Sequence, residues 1–596
     1  MRPTTELEVL ALCCLVVFSV WLKPISVPIW FAACLLIVAL GLQSFKFLCF
    51  AVLILGSSLS NYSHNNYQTI SSSSFSGDVV LIDDPESIGV AGTSALVKIS
   101  SGNLQGSRVK LIGFGELGFD IRKLTAGDSL QLNGRIKSVK PSSWNKSRHL
   151  VGDLLVTDIV SVSKVSGMRS MPEYLRSNIS ESSKLLSYEN RELYMGLVIG
   201  EDSKQSVAQK VQFRSAGMSH LLAVSGQNIA LIFTMLAGLL QRLPLRMRFA
   251  VALLILVTFA IITRLEPSVL RASVVAAIAA WSAVTGGRSS GIRILCLAVI
   301  FLLLVDPFLI YSVGFILSVT ASLGILLLSE GLIERLQKLK IPKWVSEQLA
   351  VTISAQVFVA PVLIYFFGNV PLVSVPANLA ASWLSGFVMV TGSSLGLFIK
   401  YFPEAIAGVV MKPVELALYL LNLISKESTL LSWPQLGLYE LLLLGVAILL
   451  CFLFSKFRLV IIGMAGITLC FIMFLPSDGA VVTSAETYIH IAGDSQFPSI
   501  LIINTGFDKG RLEDYVSSGL GRVDIVIAQD GSRNFGLTTR ALIDMDLAEV
   551  VLAPPLHEIP EATRITSETT VSTAVGSINM YPEERKLYIS TEADLT

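Results

Sequence analysis

The sequence predicts a polytopic α-helical membrane protein with two polar domains, and three observations predict it. Hydrophobic residues are 53% of the 596, charged residues 15%, and the mean hydropathy is +0.67, a composition of membrane-embedded chains. Long apolar runs recur along the chain. Two stretches, 62–171 and 477–596, interrupt them with turn-rich, polar sequence. The net charge of +1 averages these unlike regions and says nothing about partners. The seven cysteines (Cys13, Cys14, Cys34, Cys49, Cys296, Cys451 and Cys470) all fall in apolar runs. Neither polar domain therefore has a disulfide framework or a cysteine metal site. There is no GxxxxGK[ST] loop, so nucleotide hydrolysis is not expected of this chain.

Residues 1–61 contain apolar runs at 7–22, 25–42 and 47–60. The first lacks a small-residue cleavage site and two more follow at once, so the three read as a membrane anchor. Residues 62–171 read as a small β domain. Segments 79–82, 94–99, 108–112, 129–136 and 153–162 alternate or are rich in branched residues, with Gly, Asp and Ser clusters between them. Such short strands fit an OB-like barrel. This domain holds 12 Lys and Arg against 9 Asp and Glu. Lys137, Lys140, Lys146 and Arg148 gather around Trp144. That grouping suits single-stranded nucleic acid through phosphate attraction and base stacking, or is a solvated turn with Trp144 tucked into the barrel.

Segment 172–191 reads as an amphipathic helix on the membrane surface. Residues 172–476 are the membrane core. Its spans lie near 218–240, 249–263, 267–285, 292–305, 308–329, 347–367, 372–399, 405–424, 437–454 and 458–475, giving roughly eleven to thirteen in all. With the N-terminus in the cytoplasm, the cytoplasmic connections collect Lys46, Arg242, Arg246, Arg248, Arg288, Arg293, Arg335, Lys338, Lys340, Lys343, Lys400, Lys456 and Arg458. The opposite connections hold little beyond Lys23, Arg264 and Lys426. The positive-inside rule then puts both polar domains outside the cytoplasm.

The core turns on 200–233. This stretch passes from polar to apolar, yet its apolar part carries Ser219, His220, Ser225, Gln227 and Asn228, with Gly217 and Gly226 among them. Polar groups stranded in hydrocarbon cost several kcal/mol each. The segment either lines a wet cavity inside the bundle or packs against a helix whose polar groups satisfy its own. His220 lines a path or hydrogen-bonds within the bundle. Arg271 meets phosphate or pairs with Glu266. Gln356 and Asn378 bridge helices or offer amides to sugars and bases. Lys412 and Pro413, with Glu415 close by, suggest a broken helix or a surface helix with a snorkelling lysine. Residues 477–596 read as an α/β domain, with strands at 487–491, 499–503, 524–528 and 549–552 and a helix at 538–546. It has 8 basic against 18 acidic residues, a surface that repels nucleic acid.

FRSAGMSHLLAVSGQNIAL (213–231) resembles the signature of the ComEC family, inner-membrane channels of bacterial natural transformation, with Gly217, Ser219, His220, Leu221, Ser225 and Gly226 in place. Three later blocks match in order, with Ser268, Arg271, Ala272, Gly287 and Arg288 in the first. The next has Asp306, Pro307, Gly314, Phe315, Leu317 and Ser318, and the last Gln356, Pro361, Phe367, Gly368, Pro371 and Asn378. The resemblance implies a cytoplasmic-membrane channel passing single-stranded DNA. Its path residues would be Phe213, Arg214, Ser219, His220, Ser225, Gln227, Asn228, Arg271, Gln356 and Asn378. An extracytoplasmic DNA receptor would deliver the strand, a cytoplasmic helicase or strand-binding protein would draw it in, and membrane lipid would surround the bundle. The alternatives are a small-solute transporter and a membrane-bound hydrolase.

INTG (503–506) and VDIVIAQDGSRNFG (523–536) resemble parts of a metallo-β-lactamase-like domain that many family members carry. Its metal motif falls here on Gln529, Gly531, Arg533 and Asn534. These do not make a ligand set, and the domain's histidines are His490 and His557. The reading is a degenerate, metal-free domain that scaffolds, with an unusual nuclease built on Asp530 and Glu549 as the alternative. No cofactor is expected.

Overall fold

The computed structural model describes most of residues 6–430 and 482–591. Outside the described residues lie 1–5, 23–26, 37–44, 68–71, 89–91, 165–170, 202–204, 223–228, most of 230–239, 264–266, 286–289, 368–369, 431–434, 437–481, 492–498, 505–511, 513–522, 530–532, 558–561, 574–575, 584–585, 592–596 and some single positions. The expected spans at 437–454 and 458–475, and much of that at 25–42, fall there. The described chain forms two compact units. The first is Met1–Lys204, Ala223–Val362 and Ser385–Glu415; the second is Gln205–Leu222, Leu363–Leu384 and Leu416–Thr596.

Six described helices are long and apolar enough to cross a membrane: Phe47–Asn65, Leu245–Ile262, Val313–Lys338, Lys343–Phe366, Ser374–Gly396 and Ala405–Thr429. Three shorter apolar helices, Glu8–Trp21, Ser268–Ser282 and Gly291–Val305, accompany them. In the first unit, α1 (Glu6–Leu22) and α2 (Phe45–Asn66) share a core with α11 (Gly291–Val305), where Val16, Val20, Val52, Val299 and Leu303 are buried. A 3-10 turn (Pro307–Tyr311) leads into α12 (Val313–Lys338). Gly324 of α12 lies against the Ser354 carbonyl of α13 (Lys343–Phe367), so any side chain there would overlap backbone. Close helix approach of this kind is how apolar spans gain contact energy in lipid.

The N-terminal polar domain is a closed sheet. Its strands are β1 (Ser73–Leu81), β2 (Glu86–Ile88), β3 (Gly92–Ile99), β4 (Arg108–Phe114), β5 (Ser129–Ser138) and β6 (Leu150–Ser163). The order is β1-β5-β6-β4-β3, and β1 also pairs with β3. Only β4 and β6 run parallel. Alternation explains the core: Val97, Ile99, Val109, Leu111, Ile136 and Leu154 point inward and are buried. All five expected strands are present. Two short helices, α3 (Gly115–Arg122) and α4 (Ser143–Ser147), and the three-residue β2 add to them.

The single surface helix expected at 172–191 is instead two helices, α5 (Met171–Ser183) and α6 (Tyr188–Ile199). Arg191 donates to the carbonyls of Ser183, Lys184 and Leu186 in the turn that joins α5 to α6. Most of α6 is buried, including Asn190 and Glu192. Glu415 accepts from the Ser187 backbone amide (3.2 Å) and from Asn190 Nδ2 (2.9 Å), a carboxylate at a helix N-terminus. Glu415 is thus spent on α6 rather than on Lys412, and its helix runs unbroken through Pro413 as α16 (Glu404–Leu430). Of the two alternatives at Lys412–Pro413, the broken helix is not found.

The helix that begins as α14 (Ser374–Phe387) loosens into a π segment, Val388–Gly392, before continuing as α15 (Ser393–Phe398). In the first unit, Tyr194 of α6 donates to the Gly392 carbonyl (2.8 Å) and contacts the Ser182 hydroxyl (3.1 Å). The tyrosine thereby adds a side-chain donor to the carbonyl that ends the π segment.

The second unit holds the C-terminal domain. A six-stranded sheet runs β14-β13-β12-β11-β10-β9. Here β9 (Val482–Ala485), β10 (Tyr488–Ile491) and β11 (Ile500–Ile503) are antiparallel. The strands β12 (Val523–Ala528), β13 (Ala548–Ala553) and β14 (Thr563–Arg564) continue in parallel. One sheet face packs on β15 (Thr569–Thr573), β16 (Gly576–Glu583) and β17 (Lys586–Thr591), burying Ile578, Met580 and Leu587. The other face packs on α17 (Arg533–Asp544) and on α7 (Val207–Ser215), whose Ala208 and Val211 join a core with Leu501, Val526, Leu542 and Val551. A segment from the middle of the chain therefore completes the core of the last domain.

Candidate functional site

In the second unit the site is built on α7 and the turn after it. Ser206 caps α7 by accepting from the Gln209 amide (3.1 Å). One face of α7 enters the C-terminal core. Another is polar and meets α16: the Gln209 amide donates to Asn422 Oδ1 (2.8 Å), and Ser215 Oγ lies 2.9 Å from Thr429 Oγ1.

The helix stops at Gly217, which has φ +69°. Gly217 N bonds to Arg214 O (2.9 Å) and Met218 N to Phe213 O (2.7 Å). That pair of bonds is a Schellman cap, which wants glycine at the left-handed position and apolar residues at Phe213 and Met218. Both are fully buried. Phe213 thus serves the cap, while Arg214 is exposed.

Gly217 also packs against α14, where a methyl group on it would overlap Ser374 Cβ. Its carbonyl accepts from Asn378 Nδ2 (3.3 Å) and takes the ring of His220. Ser219 and His220, in the single turn α8 (Ser219–Leu222), are exposed. Ser374 Oγ, Asn378 Oδ1 and the side-chain amide of Gln205 are buried and have no hydrogen-bond partner among the described residues. Native proteins satisfy such groups with water or ligand. Ser225, Gln227 and Asn228 lie outside the described residues.

In the first unit, Arg271 is 6% exposed, donates to Phe315 O (2.9 Å) and lies over the Phe315 ring at 5.5 Å. Glu266, its expected partner, lies outside the described residues. Gln356 is half-buried on α13. The β5–β6 loop docks on the 3-10 turn. His149, itself at φ +57°, sits 2.9 Å from Asp306 Oδ2, and Asp306 Oδ1 caps the turn at Phe308 N (3.0 Å). His64, Tyr67 and His149 ring Phe308 edge-on, the Tyr67 hydroxyl donates to Leu150 O, and Lys146 lies over Tyr311 at 5.2 Å. Trp144 is not tucked into the sheet: it is 49% exposed with Arg148 stacked on it at 4.5 Å. Lys140 is exposed in the same loop, whereas Lys137 belongs to β5.

A second anchor is Arg176 of α5, 5% exposed. It donates to Ile199 O, Ile262 O (2.9 Å), Asp84 (3.1 Å) and Glu201 (3.5 Å). Sequence reasoning did not name Arg176, Asp84 or the Gln209–Asn422 pair, and it set Glu415 beside Lys412 rather than against α6. Each joins residues far apart in the chain, and a buried charge in a polar-looking helix was the available signal.

Six helices long and apolar enough to cross a membrane fit a polytopic helical membrane protein. Residues 197–458 match the family model described as Competence protein. The chain is 25% identical over 255 residues to ComE operon protein 3 of Bacillus subtilis (strain 168). That match covers 42% of this chain and 32% of the relative, so it spans about a third of the relative's length. No solved structure matches. Over that region the chain is similar to the competence protein family, in agreement with the ComEC resemblance of its sequence blocks.

Proposed function

We propose that this protein passes single-stranded DNA across the cytoplasmic membrane during natural transformation. The observation that carries the reading is a pair of buried polar atoms without a partner among the described residues, Ser374 Oγ and Asn378 Oδ1, beside Gly217 within the family-matching region. They fit a hydrated passage, whereas two packed helices would have paired them. Ser219 and His220 border that place, with Ser225, Gln227 and Asn228 next in the chain.

The closed sheet supports an OB-like outer domain, since its strand order, its one parallel pair and the helix between β4 and β5 fit that fold. Both polar domains lie outside the cytoplasm in this reading. The shared core of α7 and the C-terminal strands supports one side of the membrane for residues 205–215 and 482–591. A surface receptor would hand the strand over, and a cytoplasmic helicase or strand-binding protein would pull it. The C-terminal domain resembles a metallo-β-lactamase fold whose motif positions offer two amides, no side chain and a cation. Gln529, Gly531, Arg533 and Asn534 do not fit a divalent metal, and its role here is to hold α7.

The test is transformants per recipient in a strain carrying His220→Leu with Ser225→Leu, after confirming normal membrane expression. A loss of several orders of magnitude is expected. Normal transformation by the double variant would move the path elsewhere, and normal transformation by a deletion would remove the channel reading.

A further inference from the structure

The N-terminal polar domain carries a basic face assembled from four strands. Lys98 on β3 is in register with Arg108 on β4, Lys110 on β4 with Asp153 on β6, and Asp153 with Lys137 on β5. One row further, Ile112, Leu155 and Arg135 align, and Leu96 sits opposite Lys110. Residues in register across strands share a face. The intervening Val97, Val109, Leu154 and Ile136 are buried, so this set points outward. Lys98, Arg108, Arg135 and Lys137 are exposed, and Leu96, Lys110, Ile112 and Leu155 are half-buried.

Neighbouring strands lie about 4.8 Å apart and alternate residues about 6.8 Å, so five cations occupy a patch about 15 Å wide. Asp153 is the carboxylate at the centre of these rows, and Glu86 of β2, opposite Ser94, stands at the outer end of the second. The other strand carboxylates, Asp78 and Asp158, align with Gln131 and Asn133 toward the far end of β5. Burial pushes the Asp153 carboxyl up, against the pull of Lys110 and Lys137.

Cations interleaved with half-buried aliphatic groups suit a strand that offers both phosphates and base faces; a duplex keeps its base faces stacked inside. The loop cations are differently placed. Lys146 is drawn to Tyr311, Arg148 to Trp144, and the loop is fixed to the 3-10 turn through His149.

We infer that this strand face, with Lys98, Arg108, Lys110, Arg135 and Lys137 set around Leu96, Ile112 and Leu155, is where the domain holds a single strand of nucleic acid. The inference rests on the reading that the chain handles single-stranded DNA, and it assigns the surface. Asp153 opposes phosphate at the centre of the face, so removing its charge tightens binding.

The test uses the full chain in phosphatidylcholine nanodiscs and a fluorescein-labelled oligo-dT of about 20 nucleotides, read by anisotropy over a salt series. Lys98→Gln, Arg108→Gln and Lys110→Gln together weaken binding at least about tenfold and flatten the salt slope by about two, from three lost phosphate contacts. Asp153→Asn tightens it, a gain that misfolding cannot mimic. Lys140→Gln, Lys146→Gln and Arg148→Gln together stay within about threefold of wild type. The inference is overturned if wild type binds no oligo-dT, if the strand-face triple variant binds as wild type does, or if the loop variant carries the loss. It is also overturned if the strand-face variant keeps oligo-dT binding and loses only attachment to phosphatidylglycerol vesicles, which would make the face a lipid surface. Transformation separates this from the parent reading: a deletion that transforms normally removes the channel, while oligo-dT binding that depends on this face keeps the surface.

Discussion

Gly217 meets two demands that no other residue meets together. Its φ of +69° is costly for an L side chain, and a Cβ there would overlap Ser374. The backbone term alone is about 1–2 kcal/mol. Gly217→Ala is therefore expected to lower the thermal midpoint of the detergent-solubilised protein and to depress transformation, while Ser374→Gly in the same chain recovers part of the loss by removing the overlap. Asp153 gives a residue-scale prediction about pH. Its carboxyl is raised in the fold by burial. An acid raised this way contributes stability at pH below its unfolded value of about 3.9, lost as pH rises through the folded value. Asp153→Asn should thus raise the melting temperature of the full chain at pH 7, and the gain should shrink as the pH falls to about 4.

Elements were legible in the sequence to different degrees, for physical reasons. The strands of the N-terminal domain were readable because each buries one face, so Val97 and Ile99 alternate with outward residues over a short stretch. The cationic face was not, because its order comes from register between four strands and no window of sequence contains it. The helix pair α5 and α6 looked like one surface helix because Asn190 and Glu192 are polar. Their burial depends on partners such as Glu415, more than two hundred residues away. The Gln209–Asn422 bond spans 213 positions for the same reason. At the central stretch, the glycine and the polar density were visible beforehand, whereas the Schellman cap that makes Phe213 structural needed backbone geometry.

The π segment yields a test at this scale. Tyr194→Phe removes the donor to Gly392 O and should cost about 1 kcal/mol, seen as a lower melting midpoint. Tyr194→Phe with Gly392→Ala should cost more than either alone, because the ring occupies the space a methyl group there would need. His490 of β10 is 5% exposed, and burial pushes its pKa down. A base lowered this way contributes stability above its unfolded value, about 6.5, that is lost as pH falls through the folded value. Protease cleavage within 482–591 of the intact protein should therefore speed up when the pH is taken from about 7.5 to about 5.5, and His490→Gln should blunt the change.

At the scale of the whole molecule, the C-terminal domain is not an appended tail. Val211, 1% exposed, sits in its core. Placing a charge there costs about 3 kcal/mol or more. With a protease site engineered at 477–479, the cleaved C-terminal fragment should stay with the membrane fraction in the otherwise wild-type chain and be released by Val211→Asp. Release from both chains would show that α7 does not hold it. Cysteines introduced at exposed positions of 205–215 and 482–591 should label from the same side of the membrane, and opposite labelling would overturn the shared core.

That core also sets an order of events during synthesis. The strands that cover Ala208 and Val211 begin with β11 at Ile500, about 290 residues after them. At about 5–20 residues per second, the ribosome leaves the apolar face of α7 uncovered for about 15–60 s. Through that interval the neighbouring spans are already being inserted. The last domain to emerge must therefore find its own core already threaded through the membrane protein, so a nascent chain stalled after residue 430 would leave a sticky, half-built surface for chaperones or proteases to meet.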